Sequence, residues 1–351
     1  MSRRKCSKRQ ALPVSSEMTK RKQVFVGFDG SIDRTLRPLR RTGAEKKYFR
    51  TIAQFGDYIA SKAGLSCSIQ TEIQWSRAGG NAPYVASALK RFGYDVCLAG
   101  MLGNGRLREE FLPLESAGIH LYSYADPESS DCYEFEDGKI MIAPLVPSLD
   151  APLEAMQKAL GGGIQELLNS DLAAMLNWGE INWMQWLWDG AVSMLKEKEG
   201  KRTDKFVFFD PADISCCSTE NIMRMMETLK RAAKYRYSVL SVNENEALRL
   251  GEAIFDGMDI VPEILRRVVE DGFADEAVVH TVHGACGFDG ERLVERSAEH
   301  VSKPLISTGA GDHFNAGYCA ALLEGEPLGS RLDRANRSAH AYLTTGKAAG
   351  V

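Results

Sequence analysis

The sequence predicts an α/β fold: a mostly parallel sheet flanked by helices, with a small β-structured lid. Three observations carry this. Short apolar runs alternate with helix-period segments from residue 24 onward. Several of these runs lead straight into polar or glycine-bearing turns. Two stretches, 29–75 and 119–146, break the alternation.

The strands expected, in order, are Val24–Phe28, Tyr94–Ala99, Leu172–Asn177, Lys205–Asp210, Tyr237–Val242 and Glu276–Val282. Each is brief and rich in apolar or β-branched residues. Helical spacing fills intervals between them, over Thr219–Tyr235 and Pro262–Glu270 for example. Strand, helix and strand in succession build βαβ units and hence a parallel sheet. Residues 29–75 are long and polar, whereas 119–146 alternates through Leu121, Tyr122, Cys132, Tyr133, Phe135 and Ile140–Ile142, as antiparallel strands do. A small lid on the α/β body accounts for both. No repeat, low-complexity tract or Pro/Ser-rich linker intervenes, so 23–351 is expected to be one continuous domain. It is expected to follow a basic, disordered tail over 1–22, where Arg3, Arg4, Lys5, Lys8, Arg9, Lys20, Arg21 and Lys22 face one acid, Glu17.

Composition narrows the function. Hydrophobic residues at 44% and charged residues at 26% suffice for a core and a solvated surface, which excludes a disordered chain. A net charge of −4 argues against a surface that binds nucleic acid over its whole extent. No apolar run approaches the ~18 residues of a membrane span. The eight cysteines include no C-x-x-C pair and no secretory signal is visible, which suits a reducing, cytoplasmic setting. The six histidines are scattered, with no H-E-x-x-H, and no zinc site is expected.

In an open parallel sheet, ligands sit beyond the carboxyl ends of the strands, so residues that follow strands are the informative ones. The strongest segment is Ser307-Thr308-Gly309-Ala310-Gly311-Asp312-His313-Phe314-Asn315-Ala316-Gly317. Phe314, Tyr318, Ala321 and Leu322 then follow at i, i+4, i+7 and i+8, an amphipathic helix that Gly325 can end. Small residues before a helix let its free N–H groups face an anion. Asp312, in the first turn, stands beside that anion. Phosphoryl transfer needs this pair, donors for the transferring group and a carboxylate for the hydroxyl proton. Taken alone, the segment is equally a tight turn with an Asp that caps a helix.

A second segment, Ala78-Gly79-Gly80-Asn81-Ala82-Pro83-Tyr84-Val85-Ala86, opens a helix with Val85, Leu89 and Phe92 on one face and Gly93 at its end. The glycines let backbone approach a ligand closely. Asn81 can cap the helix while offering an amide to hydroxyls.

In this order and at this separation, the two segments resemble the N- and C-terminal signatures of the ribokinase-like (PfkB) carbohydrate kinases. Asn243-Glu244-Asn245-Glu246, after the Tyr237–Val242 run, is similar to that family's N-x-x-E motif. Gly27-Phe28-Asp29-Gly30-Ser31-Ile32-Asp33 sits where the family places a sugar-binding Asp. The likeness spans about residues 24 to 350. It implies a doubly wound ribokinase-like fold and in-line transfer of the γ-phosphoryl of Mg·ATP to a hydroxyl of a sugar-like acceptor.

By position, the resemblance makes Asp312 the catalytic base and the amides of Gly309, Ala310 and Gly311 the anion hole. Asn243 and Glu246 would organise Mg²⁺ and phosphates, Glu246 through water. Asp33, Gly79, Gly80 and Asn81 would hold the acceptor. Gly284 and Gly287, in His283-Gly284-Ala285-Cys286-Gly287, would form a nucleotide-side loop, and Asn336 would border adenine. Without the family, Asn243–Glu246 reads more readily as a polar helix start.

Two departures bear on specificity. The Asp usual three residues before the first glycine of the anion hole is Ile306 here, which argues against monovalent-cation activation. The Asn expected four residues after the second glycine of the upstream pair is Tyr84. A nucleoside or vitamin kinase, an ADP-dependent kinase and a non-catalytic sugar or nucleotide sensor are the alternatives on this scaffold. The retained Asp312 favours catalysis over the sensor. Arg34, Arg37, Arg40 and Arg41 read as a solvated lid surface in preference to a phosphate site, and Trp178, Trp183, Trp186 and Trp188 as packing. A lid sheet has an edge to hide, and a homodimer formed through it is expected.

Overall fold

The computed structural model describes residues 21–347 apart from 43, 145, 147 and 307. The tail expected over 1–22 therefore falls outside the described residues as far as residue 20, as does Ser307 of the downstream signature. Fourteen strands run in chain order: β1 (Gln23–Gly27), β2 (Ser31–Thr42), β3 (Glu45–Tyr48), β4 (Gln70–Gly79), β5 (Asp95–Gly100), β6 (His120–Ser123), β7 (Glu128–Phe135), β8 (Gly138–Ile142), β9 (Leu172–Leu176), β10 (Phe206–Asp210), β11 (Tyr237–Asn243), β12 (Glu276–His280), β13 (Gly284–Phe288) and β14 (Leu293–Ser297). The helices are α1 (Ile52–Ala60), α2 (Asn81–Arg91), α3 (Leu112–Ser116), α4 (Pro152–Leu160), α5 (Ile164–Asn169), α6 (Met184–Glu199), α7 (Thr219–Ala232), α8 (Glu244–Ile254), α9 (Val261–Glu270), α10 (Ala310–Leu323) and α11 (Leu328–Thr345).

The main sheet has the order β14-β13-β12-β11-β10-β9-β1-β5-β6. From β12 to β6 every pairing is parallel; β13 and β14 add an antiparallel hairpin at one edge. The six strands expected from the sequence are all present in this sheet. Its strands are apolar on both faces, because successive side chains enter opposite layers. Val24, Val26, Leu98, Leu172, Ala174 and Phe208 meet α2, α10 and α11 on one side. Phe25, Cys97, Ala173, Met175 and Phe209 meet the layer of α4 and α6–α9 on the other.

A second sheet holds β3, β2, β7 and β8, with β4 also paired to β2. It corresponds to the two irregular stretches, with three differences. β6, inside the 119–146 stretch, is an edge strand of the main sheet, parallel to β5. β7 pairs with β2 in parallel, not antiparallel. The 29–75 stretch also contains α1, whose Phe55 packs against Phe49, Tyr133 and Phe135. A period of two shows that a strand has two unlike faces; it says nothing of which neighbour the strand joins.

Three of the four tryptophans singled out are buried, Trp178, Trp183 and Trp188, as packing requires. Trp186 is exposed, with the Arg224 guanidinium 5.0 Å from its ring. The arginine-rich stretch lies on β2, where Arg34 pairs with Asp131 at 2.6 Å while Arg37 and Arg40 stack on Tyr48 and Tyr58.

Candidate active site

Strand order reverses at β1: the chain proceeds from it to β5 and β6 on one side, then crosses to β9 on the other. Such a reversal opens a crevice at the strands' carboxyl ends. Asp29, two residues beyond β1, and Asn177, directly beyond β9, meet across it, the Asn177 amide donating to the carboxylate at 3.1 Å. Asp29 also accepts the backbone N–H groups of Asn81 and Ala82, each at 2.7 Å. It is therefore Asp29 that caps α2. Asn81, expected from the sequence as the cap, is the first helical residue, and Gly80 precedes it at φ 93°. Burial pushes Asp29 up to about 6 although these three donors pull the other way.

A cavity of about 530 Å³ opens over this crevice. The segments that follow β1 and β9 contribute Asp29, Asn177 and Glu180; α2 contributes Asn81 and Tyr84; the small sheet contributes Asp33 and Glu128. Asp312 closes one end. Of the acceptor residues expected from the sequence, Asp33, Gly80 and Asn81 line this cavity. Gly79 does not. It sits against Asp33, whose carboxylate would lie 2.2 Å from any Cβ there, so the glycine is set by close approach of β2. Tyr84 donates to Asp33 at 3.0 Å. Glu128, Asn177 and Glu180 were not legible as site residues in the sequence; their only signal is position, Asn177 and Glu180 just beyond a central strand.

A second cavity, about 430 Å³, lies across α10. Asn243, His280, Thr281, Ala310, Gly311, Asn336 and His340 are among its walls. Asn243, Ala310, Gly311 and Asn336, expected at the nucleotide and anion sites, thus line this cavity. Gly284 and Gly287 do not: both are residues of β13, and Thr281 and Val282 of the preceding turn face the cavity instead. The apolar register of β12 continues through the hairpin, which leaves only the turn for ligand contact. Glu246 is outside the cavity as well. Its carboxylate turns back onto the Asn243 N–H at 2.8 Å while Asn243 accepts the Glu246 N–H at 2.9 Å, a reciprocal cap of α8. Burial and the nearby Asp210 push Glu246 up to about 9, and burial lifts Asp210 to about 6.

Between the cavities stands the N-terminus of α10. Two helices at this site have their first N–H groups taken, α2 by Asp29 and α8 by Asn243. Gly309, at φ 94°, directly precedes α10, and no side chain among the described residues caps the helix. Its amides and its macrodipole are left for an anion. Asp312 is in the first turn, 8% exposed, and one carboxylate oxygen has no partner among the described residues. It is no helix cap. Burial first, then Asp210, Asp29, Asp33 and Glu180, hold its carboxyl well above the usual range. α10 itself is buried on nearly every face, not along one stripe as expected, because α2 and α11 flank it above the sheet. Lys139, from the small sheet, reaches this junction and donates to the Thr308 hydroxyl at 2.9 Å.

Two cavities that meet at one open helix end are what a kinase needs to bring a nucleotide and an acceptor to a common point. Known proteins agree with that geometry: the chain is an ATP-dependent carbohydrate kinase of the ribokinase-like class. More particularly, the sequence model of the prokaryotic ketohexokinase family matches residues 3–350, and the chain belongs to that family. A ketohexokinase of Haloferax volcanii is 25% identical over 326 residues, 85% of this chain and 80% of its own. Among solved structures, phosphofructokinase-2 of Escherichia coli superposes with a TM-score of 0.65 at 14% identity, covering 94% of this chain and 95% of that one. Ribokinase of Thermotoga maritima gives 0.63 at 17% identity, over 93% and 94%.

Proposed function

We propose that this kinase transfers the γ-phosphoryl of ATP to a hydroxyl of a ketohexose, with Asp312 as the base. The observation that carries the acceptor class is a set of three buried oxygens without partners among the described residues: Glu128 Oε1, Asn177 Oδ1 and Asp312 Oδ1. All three residues line the same cavity. A buried oxygen left unpaired costs about 1–3 kcal/mol, so three in one place await a ligand rich in hydroxyl donors. Membership of the ketohexokinase family narrows that polyol to a ketohexose.

In this reading Asp33, Asn81, Asn177 and Glu128 hold the sugar so that its reacting hydroxyl faces Asp312. It is the ionised form of Asp312 that takes the hydroxyl proton as the oxygen attacks, and burial, which raises this carboxyl, makes that form a stronger base than an exposed carboxylate. The amides of Gly309, Ala310 and Gly311 face the charge on the transferring group. The second cavity holds the nucleotide, with Asn336 beside the base. Buried Asp210 lies close enough to raise the Glu246 carboxyl, and the two together form a donor set that suits a hard divalent cation. Glu246, through water, would hold Mg²⁺ there, and the ion would neutralise phosphate charge.

The small sheet serves as a lid that excludes water, supported by Asp33, Glu128 and Lys139, which reach the site from it. β4 is an edge of that sheet, paired only with β2 among the described residues, and Ile73 on it is exposed. A second copy that covers this edge would give the homodimer. ATP dependence suits a cytoplasmic enzyme.

The deciding experiment is ADP release from Mg·ATP over ketohexoses, aldopentoses, hexose phosphates and nucleosides, with Asp312→Asn alongside. The reading requires preference for a ketohexose and a loss of about 10²–10⁴ in kcat in the variant. Preference for a nucleoside or a sugar phosphate would overturn the acceptor, and wild-type turnover by Asp312→Asn would overturn the base.

A further inference from the structure

Gly309 stands at φ 94° between two peptide units, and both are held from outside the loop. A peptide unit is planar and trans, so its C=O and N–H point in opposite directions and fixing the oxygen fixes the aim of the donor. The carbonyl of Thr308 shares a unit with the N–H of Gly309, and it accepts the Tyr342 hydroxyl at 3.0 Å. The carbonyl of Gly309 shares a unit with the N–H of Ala310, and it accepts His313 Nδ1 at 2.7 Å as well as the helical N–H of His313 at 3.1 Å. Glycine is the residue about which such units turn most freely. Here the two units beside it are pinned, and their far sides carry two of the three anion-hole donors.

The pins are rigid. The rings of His313 and Tyr342 stack with centroids 3.7 Å apart and planes 11° from parallel, and Tyr84 closes on both at 6.1 and 6.3 Å. His313 is 2% and Tyr342 3% exposed. Burial brings His313 down to about 4, so the ring is neutral, and a carbonyl partner selects the tautomer with its proton on Nδ1. Neither side chain lines either cavity.

We propose that Tyr342 and His313 are positioning residues for phosphoryl transfer, holding the peptide units on either side of Gly309 so that the Gly309 and Ala310 amides stay aimed at the transferring group. This rests on the anion-hole reading above. Donors aimed in advance matter most where charge develops, so their misalignment lowers kcat and spares the affinity for both substrates.

The test is steady-state kinetics and thermal unfolding of the full chain carrying Tyr342→Phe, His313→Leu or His313→Asn. Tyr342→Phe keeps the stacked ring and removes one pin. Asparagine places an N–H donor where Nδ1 was; leucine does not. Expected are falls in kcat of about tenfold or more for Tyr342→Phe and His313→Leu, both KM values within about twofold of wild type, and recovery in His313→Asn. An unchanged kcat in Tyr342→Phe would overturn the proposal, as would a His313→Asn protein no better than His313→Leu. Should His313→Leu fail to fold, Tyr342→Phe decides alone. Asp312→Asn is run beside them: if it is inactive while Tyr342→Phe is normal, the positioning role falls and the site reading stands. If Asp312→Asn turns over normally, the site reading itself falls.

Discussion

Tyr84 on α2 and Asp33 on the small sheet are joined by a hydrogen bond of 3.0 Å from the phenol to the carboxylate. This contact ties a cavity-lining carboxylate to the body of the protein, and it exists because a tyrosine stands where the resemblance to the ribokinase-like kinases leads one to expect an asparagine. Ser31 also donates to Asp33, at 3.1 Å. Removing the phenol hydroxyl leaves the carboxylate less well held. A hydrogen bond to a charged group contributes about 1.5–3 kcal/mol. Tyr84→Phe is therefore expected to raise the acceptor KM about tenfold or more while the ATP KM stays put. Equal shifts in both constants would contradict the assignment.

Glu128 gives a pH signature. Burial first, then Asp29 and Glu180, raise its carboxyl to about 8 from an ordinary 4.5. Protonated at pH 7, its carboxyl would offer the sugar an O–H donor beside the accepting Oε1; above pH 8 it ionises and that donor is lost. The acceptor KM should climb as pH passes 8, and Glu128→Gln, a permanent donor, should flatten the profile. The native state also binds this proton more tightly than the unfolded chain, so Glu128 costs stability increasingly between pH 4.5 and 8. Unfolding scans should show Glu128→Gln gaining over wild type at pH 8 and not at pH 4.

Glu246→Gln separates metal binding from helix capping. Glutamine completes the reciprocal cap of α8 as glutamate does, but brings no charge. The Mg²⁺ needed for half-maximal rate should rise about tenfold or more. Burial pushes the Glu246 carboxyl up to about 9 in the folded state, so the stabilising effect of its removal should grow from pH 5 to pH 9. An unchanged Mg²⁺ requirement would take the ion away from this carboxylate.

Ile306 predicts indifference to monovalent cations. Its side chain packs within 3.4 Å of where a Cβ on Gly346 would lie, and it offers no oxygen to an ion. Exchange of potassium for a bulky organic cation at constant ionic strength should leave kcat unchanged. Strong potassium activation would contradict this.

Much of this enzyme was legible in one dimension. The apolar runs that became β1, β5 and β9–β12 declare themselves because a strand buried on both faces needs no partner's identity to be apolar. Gly309, Ala310, Gly311 and Asp312 are contiguous, so a local turn and its helix place the open helix-start amides and the acid together. Asn243 and Glu246 are likewise one helix start, which is why the capping reading and the phosphate reading were both available from the same four residues.

What the sequence withheld depends on residues brought from far apart. Asp29 caps α2 across 52 positions, and the Asn177 amide crosses 148 to reach Asp29. Their meeting requires β1 and β9 to be neighbours at the switch point. Glu128 enters the cavity beside Asp312 only because β7 pairs with β2, and Tyr342 reaches the Thr308 carbonyl only because α11 packs on α10. The sequence by itself determined the α/β class, the open helix end and its carboxylate, since these follow from patterns within a few residues. The tertiary structure alone decided which oxygens are left unpaired beside that carboxylate, because burial and partnership are properties of neighbours that the chain order does not contain.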